Sequence, residues 1–496
     1  MSDAKSGGGR EREHRIEKLE KIRELGIDPY PYRFQRTHSI AGTIENREQL
    51  IAGEVRLAVA GRIMSVRGHG HTAFGHIKDD TGTIQFYIRD DQLDEHEFGL
   101  FKLLDVGDIV GLWGVLFTTR SGELTVRVAN LELLAKSIRP LPEKFHGLQD
   151  KELRYRHRYV DLIVNDEVMK VFRMRSKILE TMRQFLLGNN FLEVETPILQ
   201  PLYGGAMARP FVTRHNALDM DLYLRIADEL YLKRLIVGGM ERVFEFSKDF
   251  RNEGMDRSHN PEFTMLECYA AYWDYNDMMG FVEEMFSTLA TEVCGTTDIQ
   301  FGEHSIDLSP PWRRLTFFEA LHEVAGEDLR ASGEGRLEEI ARSREIDLEG
   351  ISGRTALLDT IFSELVEPAL IQPTFITDYP LELSPLAKIH RADRGLVERF
   401  EPYIAGFEVG NAFSELNDPL DQRARFEAQA ELRKAGLQDA HPVDDDYIRA
   451  LEYGMPPTGG IGIGVDRVVM LLTGATSIRD VILFPQMRPE EGRDGA

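Results

Sequence analysis

Residues 250–267, F-R-N-E-G-M-D-R-S-H-N-P-E-F-T-M-L-E, constrain this chain more than any other stretch. Ahead of them Arg242-Val243-Phe244-Glu245-Phe246 roughly alternates apolar and charged residues, the pattern of a strand with one buried face. Residues 254–261 are polar and rich in turn formers, which predicts a loop. Phe263 to Glu267 returns as a second strand. The resulting hairpin presents Arg251, Glu253, His259, Asn260 and Phe263 near one loop. That set suits a nucleoside triphosphate: Arg makes bidentate contacts to phosphate, Phe offers a stacking face, and Glu and His can fix a purine. A charged surface hairpin with a core Phe fits the stretch equally well.

Composition bounds the class. The 496 residues point to two domains or more, and 42% apolar residues suffice for large cores. No run of 18 apolar residues occurs, so no membrane span is expected. The N-terminus is polar and unlike a secretory signal. Cys268 and Cys294 have neither zinc-ligand spacing nor a disulfide framework, which fits a reduced cytoplasm. The net charge of −24 argues at first against a nucleic-acid partner. Its distribution weakens that argument. Residues 1–170 hold 26 Lys+Arg against 27 Asp+Glu, and the rest hold 33 against 56. The near-neutral first part can carry a local basic face.

In chain order, residues 1–10 are expected to be disordered. Glu11–Leu25 carries Ile16, Leu19, Ile22 and Leu25 at near-helical spacing, with Gly26 placed to end the helix. Strands are expected at Leu57–Met64, Ile84–Ile88, Asp108–Leu116 and Leu124–Leu134, a set that suits a five-stranded barrel of the OB type. Such barrels bind single-stranded nucleic acid by stacking bases on aromatic side chains. Gly68-His69-Gly70-His71 reads as a loop, since H-x-H without further ligands is not specific for metal. Arg139–Tyr159 combines Pro140-Leu141-Pro142 with Tyr155-Arg156-His157-Arg158-Tyr159, as in a basic linker crossing a nucleic acid. A long helix Asp166–Leu187 then leads into the strand Phe191–Pro197. Mixed charge with helical spacing marks 325–370 as a helical insertion. Glu401 and Glu408 converge if the chain turns near Ala405-Gly406, and two such carboxylates can hold Mg²⁺ that also binds ATP phosphates. Gly459–Gly464 followed by Asp466-Arg467 and an apolar helix forms a glycine-rich strand able to pass close under a ligand. No βαβ unit with a downstream acid surrounds it, so it is not a dinucleotide-binding loop.

F-R-N-E-G followed by H-N-P-E-F-T-M-L-E resembles the second signature motif of the class II aminoacyl-tRNA synthetases in its bacterial-type lysyl form. The helix and strand around 166–197 resemble motif 1, and Gly462-x-Gly464-x-Asp466-Arg467 resembles motif 3. The resemblance covers nearly the whole chain and implies an α+β protein. Its parts are an extension (1–55), an OB-type anticodon barrel (56–138), a linker (139–165) and a class II catalytic domain of antiparallel sheet and helices (166–490). It implies ATP at Arg251, Glu253, His259, Asn260, Phe263, Met265, Gly464 and Arg467, with Arg251 and Arg467 catalytic. It places L-lysine at Gly205, Glu229, Glu267, Tyr269, Asn411, Phe413 and Glu415. Mg²⁺ falls to Glu401 and Glu408, and the anticodon of tRNA(Lys) to Arg67, Phe74, Gln85 and Glu123. It further implies a cytoplasmic homodimer and lysine–tRNA ligation. Three departures from the family pattern stand out: Asn190 replaces a glycine, Asp228 a proline, and Ser258 an arginine, with Arg257 one residue earlier expected to reach the terminal phosphate. An aspartyl- or asparaginyl-type enzyme would need a cation where Glu267, Tyr269 and Glu415 stand. A relative that lysylates an elongation factor would lack the barrel, and a binding protein with an inactive second domain would not need Arg251, Glu408 and Arg467.

Overall fold

The computed structural model describes residues 8–69, 71–142, 148, 150–434 and 442–490. Residues 1–7, Gly70 and residues 143–147 of the expected linker lie outside the described residues. The chain divides into two compact units, residues 1–149 and 150–496.

The first unit opens with helix Gly8–Glu24, so the expected disorder does not reach residues 8–10. Ile22 buries against Leu100 and Leu133, and Gly26 at φ +75° ends the run. Five strands follow: β1 Leu57–His69, β2 Thr72–Lys78, β3 Thr83–Arg89, β4 Ile109–Thr118 and β5 Leu124–Ala135. They close a barrel in the order β1-β2-β3-β5-β4. Two details differ from expectation. Strand β1 runs on through Gly68 and His69, which were expected in a loop. Strand β2 carries little hydrophobic signal because Ala73 and Gly75 fill two of its inward positions, leaving Ile77 as the only large one. At the barrel's base, Lys136 is fully buried with Asp108, donating to its two carboxylate oxygens at 3.0 and 2.9 Å and to Asp105 at 2.7 Å.

In the second unit, residues expected as linker fold into helices Lys151–Arg156 and Arg158–Val164. Arg158 is buried; it donates to Asp161 at 2.9 Å and to the carbonyls of Arg479 and Leu483. Its charge is therefore spent inside the unit and is not offered to phosphate. Helix Asp166–Gly188 follows, and Asn190 takes the left-handed conformation at φ +63° that the turn into the next strand requires. That strand, β6, is only Leu192–Glu193. A small sheet of β7 Leu199–Gln200, β8 Val212–His215 and β9 Met220–Leu224 precedes the hairpin of β10 Arg242–Phe250 and β11 Glu262–Ala271. Strands β12 Asp298–Phe301 and β13 His304–Asp307 pair with each other. The remaining strands are β14 Arg313–Thr316, β15 Thr374–Thr377, β16 Arg399–Ile404, β17 Phe407–Glu408, β18 Gly410–Ser414 and β19 Thr458–Gly464.

The main sheet runs β14-β15-β16-β18-β19-β11-β10-β6, with β17 paired to β16. It is antiparallel through its centre but parallel at both edges, where β14 meets β15 and β6 meets β10. Parallel neighbours require a crossover. The helical segment between β14 and β15, expected as an insertion, is that crossover, built from helices Phe317–Ala325, Glu334–Ser343 and Arg354–Ile361. Helices Asp166–Gly188, Tyr275–Leu289 and Val465–Thr473 pack on one face of the sheet over Phe244, Leu266, Cys268, Ala412, Ile461 and Ile463.

Replacing Lys136 by Met strands the buried Asp108 carboxylate, and loss of one partner of a buried pair costs about 3–5 kcal/mol. Amide exchange of the barrel strands is expected to show local unfolding made easier by that amount.

Candidate active site

The opposite face also carries helices, Phe317–Ala325 and Arg354–Ile361 over Ile376 and Glu229–Val237 with Asp445–Glu452 over Val243 and Ala271, and its central strands form the floor of a cavity of about 440 Å³. Side chains alternate along a strand, and three neighbouring strands exploit this in register. On β11, Leu266, Cys268 and Ala270 enter the core, while Met265, Glu267 and Tyr269 face the cavity. On β19, Ile461 and Ile463 are core, and Gly460, Gly462 and Gly464 face the cavity. On β18, Ala412 is core, and Asn411 and Phe413 face the cavity. Tyr269 pairs with Gly460, Glu267 with Gly462 and Met265 with Gly464; Asn411 and Phe413 pair with Gly462 and Gly460 from the other side. A strip of glycines thus lies between two rows of functional side chains.

One end of the cavity is acidic. Glu229, Glu267 and Glu415 line it, all buried. Tyr269 donates to Glu267 at 2.9 Å. The backbone N–H of Asp228 reaches the other Glu267 oxygen at 3.3 Å, a bond that proline at 228 could not make. Burial, then the neighbouring charges of Asp249 and Glu229, push the Glu267 carboxyl up to about 8. Burial also raises Glu415 to about 8 against the pull of the Lys233 ammonium. Gly205 sits at φ +90°, where a Cβ would lie 2.9 Å from the Ala227 Cβ, so its backbone lies close against Glu229. At Gly460 a Cβ would stand 2.2 Å from Glu415 Oε1 and 2.4 Å from the Tyr269 ring. Only glycine leaves the acidic end open.

The other end carries cations. Arg251 lies 5.1 Å over the Phe263 ring. Arg467, at the start of its helix, donates to the Glu408 carbonyl at 2.5 Å and approaches its carboxylate at 3.4 Å. The preceding Asp466 accepts from Thr264 N at 2.8 Å and from Arg175 at 2.6 Å, locking the helix start to β11. Glu253, His259, Asn260, Met265 and Gly464 complete this end. His259 is paired with Asp256 at 2.8 Å, and Asn260 donates to the Glu262 carbonyl at 2.5 Å. Ser258 lines the cavity, whereas Arg257 is exposed and not part of the lining; its carbonyl accepts from Ile478 N at 2.8 Å.

Glu401 and Glu408 differ in position. The turn between β16 and β17 has Ala405 at φ +55° and Gly406 at φ +76°, and Glu408 pairs with Tyr403. Glu401, two residues before Tyr403, therefore shares the face of Glu408. Glu408 lines the cavity; Glu401 does not. Glu401 instead takes hydrogen bonds from Arg399, Tyr379 and Tyr403. Among the described residues no group of three or more His, Cys, Asp or Glu side chains is arranged to hold a metal. An oxygen pair without further protein ligands fits Mg²⁺ that takes the rest of its shell from phosphates and water.

Two residues of this region escape sequence reasoning. Arg399 lines the cavity and ties Asn411 (3.1 Å) to Glu401, and its signal was only its alternation with Glu401 along β16. Lys233 on helix Glu229–Val237 is fully buried and ion-paired with both Glu229 and Glu415. Nothing in its local sequence distinguishes it from a surface lysine.

On the barrel, Phe74 is over a third exposed and lies 4.6 Å from Tyr87. Gln85 donates to Glu123 at 2.6 Å, and His76 holds the same carboxylate at 2.8 Å. Phe74, Gln85, Tyr87, Phe117 and Arg127 line one concave face; Arg67 pairs across from Phe74 but lies outside it. Tyr87 is signalled by its alternation with Gln85 on β3.

Comparison with known proteins agrees with this layout. The family described as tRNA synthetases class II (D, K and N) matches residues 150–488, and the OB-fold nucleic acid binding domain matches residues 57–141. The lysine–tRNA ligase of Pelotomaculum thermopropionicum is 53% identical over 500 residues, covering 99% of this chain and 98% of its own. That of Methanoculleus marisnigri is 54% identical over 479 residues, 96% of this chain and 94% of its own.

Gly460→Ala is expected to close the acidic end while sparing the cationic one. Calorimetry would then show binding of a cationic amino acid lost and ATP binding within about twofold of the parent, a difference under ~0.5 kcal/mol.

Proposed function

Given that the chain belongs to the class II tRNA synthetases, we propose that it joins L-lysine to tRNA(Lys) in an ATP-driven ligation. One observation carries this reading: a single cavity places three buried carboxylates at one end and Arg251 with Arg467 at the other. The acidic end suits an amino acid with two ammonium groups and the cationic end a triphosphate. Glu229 and the backbone at Gly205 take the α-ammonium; Glu415, Tyr269 and Glu267 take the ε-ammonium. Asn411 and Phe413 wall the side chain. Phe263 stacks on the adenine, which Glu253, His259, Asn260 and Met265 frame, and Gly464 leaves room beneath it.

The lysine carboxylate attacks the α-phosphorus of ATP and expels pyrophosphate, giving lysyl-adenylate. A terminal ribose hydroxyl of tRNA then attacks the acyl carbon and releases AMP. The substrate carboxylate is already a nucleophile, so the protein's part is positioning and charge neutralisation by Arg251 and Arg467. Glu408 and Glu401 would hold Mg²⁺ arriving with ATP, an ion that neutralises phosphate charge when bound. Arg399, bonded to Glu401, sets that carboxylate's direction.

The barrel takes the anticodon, with Phe74 stacking on a base and Gln85, Glu123 and Arg67 contacting base edges or backbone. Exposed Leu187, Leu192, Ile198 and Leu199, close in sequence around β6 and from 44% to 53% accessible, support a homodimer through this segment. No helix of the described residues is long and apolar enough to cross a membrane, and a cytoplasmic enzyme of protein synthesis fits the reading.

Pyrophosphate exchange tested across the standard amino acids is expected to respond to lysine, and exchange driven by aspartate or by no amino acid overturns the assignment. In Glu415→Gln the lysine KM is expected to rise by the equivalent of about 3–5 kcal/mol, with the ATP KM near normal. Phe74→Ala is expected to weaken tRNA charging by about 1–3 kcal/mol, the size of one base stack, while tRNA-independent exchange survives; equal loss of both would make Phe74 a core residue.

A further inference from the structure

Lys233 is the one fully buried lysine at the acidic end, and it does not line the cavity. It stands behind the lining, ion-paired with Glu229 four residues earlier on its own helix and with Glu415 from the end of β18. Its ammonium lies 5.9 Å from the Tyr269 ring centroid. The other groups facing this cluster are Glu267 and Tyr269 on β11 and Tyr447 on helix Asp445–Glu452, with Arg234 beside Tyr447, and Asp249 and the ion-paired Asp228 and Arg225 beyond Glu267.

A glutamate–lysine pair one turn apart on a helix surface is worth a few tenths of a kcal/mol. Burial changes its meaning. An uncompensated buried charge is strongly unfavourable, so the charge count at this end decides what can enter. With all three carboxyls ionised, the one ammonium leaves two negative charges for the ligand to balance. Without Lys233, three would remain. A substrate with two ammonium groups at this end meets the first count, and an amino acid with a neutral side chain leaves one carboxylate unmatched. Lys233 also spans the two acids that face the two ammonium groups, so it fixes their spacing from behind.

Resting on the reading that this cavity takes lysine, we propose that Lys233 is a positioning residue and internal counter-cation that favours the ionised forms of Glu229 and Glu415 and spaces them for the two ammonium groups of the substrate. Burial raises both carboxyls and the Lys233 ammonium opposes it. Removing the ammonium raises them further. Below the new value one carboxyl holds a proton and lysine binding weakens; above it both are ionised and binding returns.

Lysine-dependent exchange by the full-length protein, measured from pH 6 to 9 for the parent, Lys233→Met and Lys233→Arg, tests this. In Lys233→Met the lysine KM at pH 7 is expected to rise at least tenfold (about 1.4 kcal/mol). The acid limb of kcat/KM for lysine is expected to move up by about one pH unit or more, and the ATP KM to stay within about twofold. Lys233→Arg keeps the charge and is expected to keep the parent's acid limb. Thermal unfolding reports whether the Met variant folds; if it does not, Lys233→Gln replaces it in the same comparison. A neutral variant with the parent's acid limb and lysine KM, or with equal losses toward lysine and ATP, overturns the proposal. A parent that shows no lysine-dependent exchange overturns the lysine reading itself, and that result is seen before any variant is made.

Discussion

The pairing of β19 between β11 and β18 is the constraint on which the rest of the site depends. Side chains on a strand repeat every two residues, so one register fixes every group on a face, and a slip of one residue exchanges that whole face for the other. Here the register sets Gly460, Gly462 and Gly464 against Tyr269, Glu267 and Met265. Their other neighbours are Ile461 and Ile463, which anchor the same strand in the core beneath. The hydrophobic effect on one face therefore aligns polar groups on the other. Asp466 adds a second lock, joining the helix that follows β19 to β11 through Thr264 N and to helix Asp166–Gly188 through Arg175.

Electrostatics follows from that geometry. Acids and cations that would neutralise one another in a mixed cluster are kept at opposite ends of one cavity. Each end then needs its own compensation. At the cationic end Arg467 leans on Glu408 and Arg251 on the Phe263 face. At the acidic end the compensation is internal: Lys233 for Glu229 and Glu415, and Tyr269 with the Asp228 N–H for Glu267. Asp228 itself is buried beside Arg225 at 3.2 Å. A proline in its place would carry no acid to bury but would also give Glu267 no backbone donor.

Much of this was legible in the sequence, for identifiable reasons. The hairpin of β10 and β11 and the glycine strand announce themselves because turn formers, alternation and glycine spacing are local signals. The same holds for the turn at Ala405-Gly406. Strand β2 was obscured because Ala73 and Gly75 occupy two of its inward positions. The parallel edges were not readable, since they arise from crossovers whose partners are distant in sequence. Arg158 read as a basic linker residue because burial by Leu483 and Arg479 comes from more than three hundred residues away. Lys233 was silent for the same reason: its second partner, Glu415, belongs to another strand. What local patterns cannot convey is which charges end up sharing a desolvated space.

The same strand order has a consequence for synthesis on the ribosome. The barrel's strands lie within residues 57–135 and can pair as soon as they emerge. The central hairpin of β10 and β11 can also pair early, but the sheet around it cannot be completed. Strand β11 ends at Ala271, and the partner that covers its free edge, β19, begins at Thr458, roughly 190 residues later. At about 5–20 residues per second, that edge waits some 10–40 s, with Leu266, Cys268 and Ala270 on one face and the backbone groups unpaired. An open edge of this kind is a template for wrong pairing. Nascent chains of this protein therefore pass through a long window in which the first unit is folded and the second is a half-built sheet, and it is there that a chaperone would find its substrate.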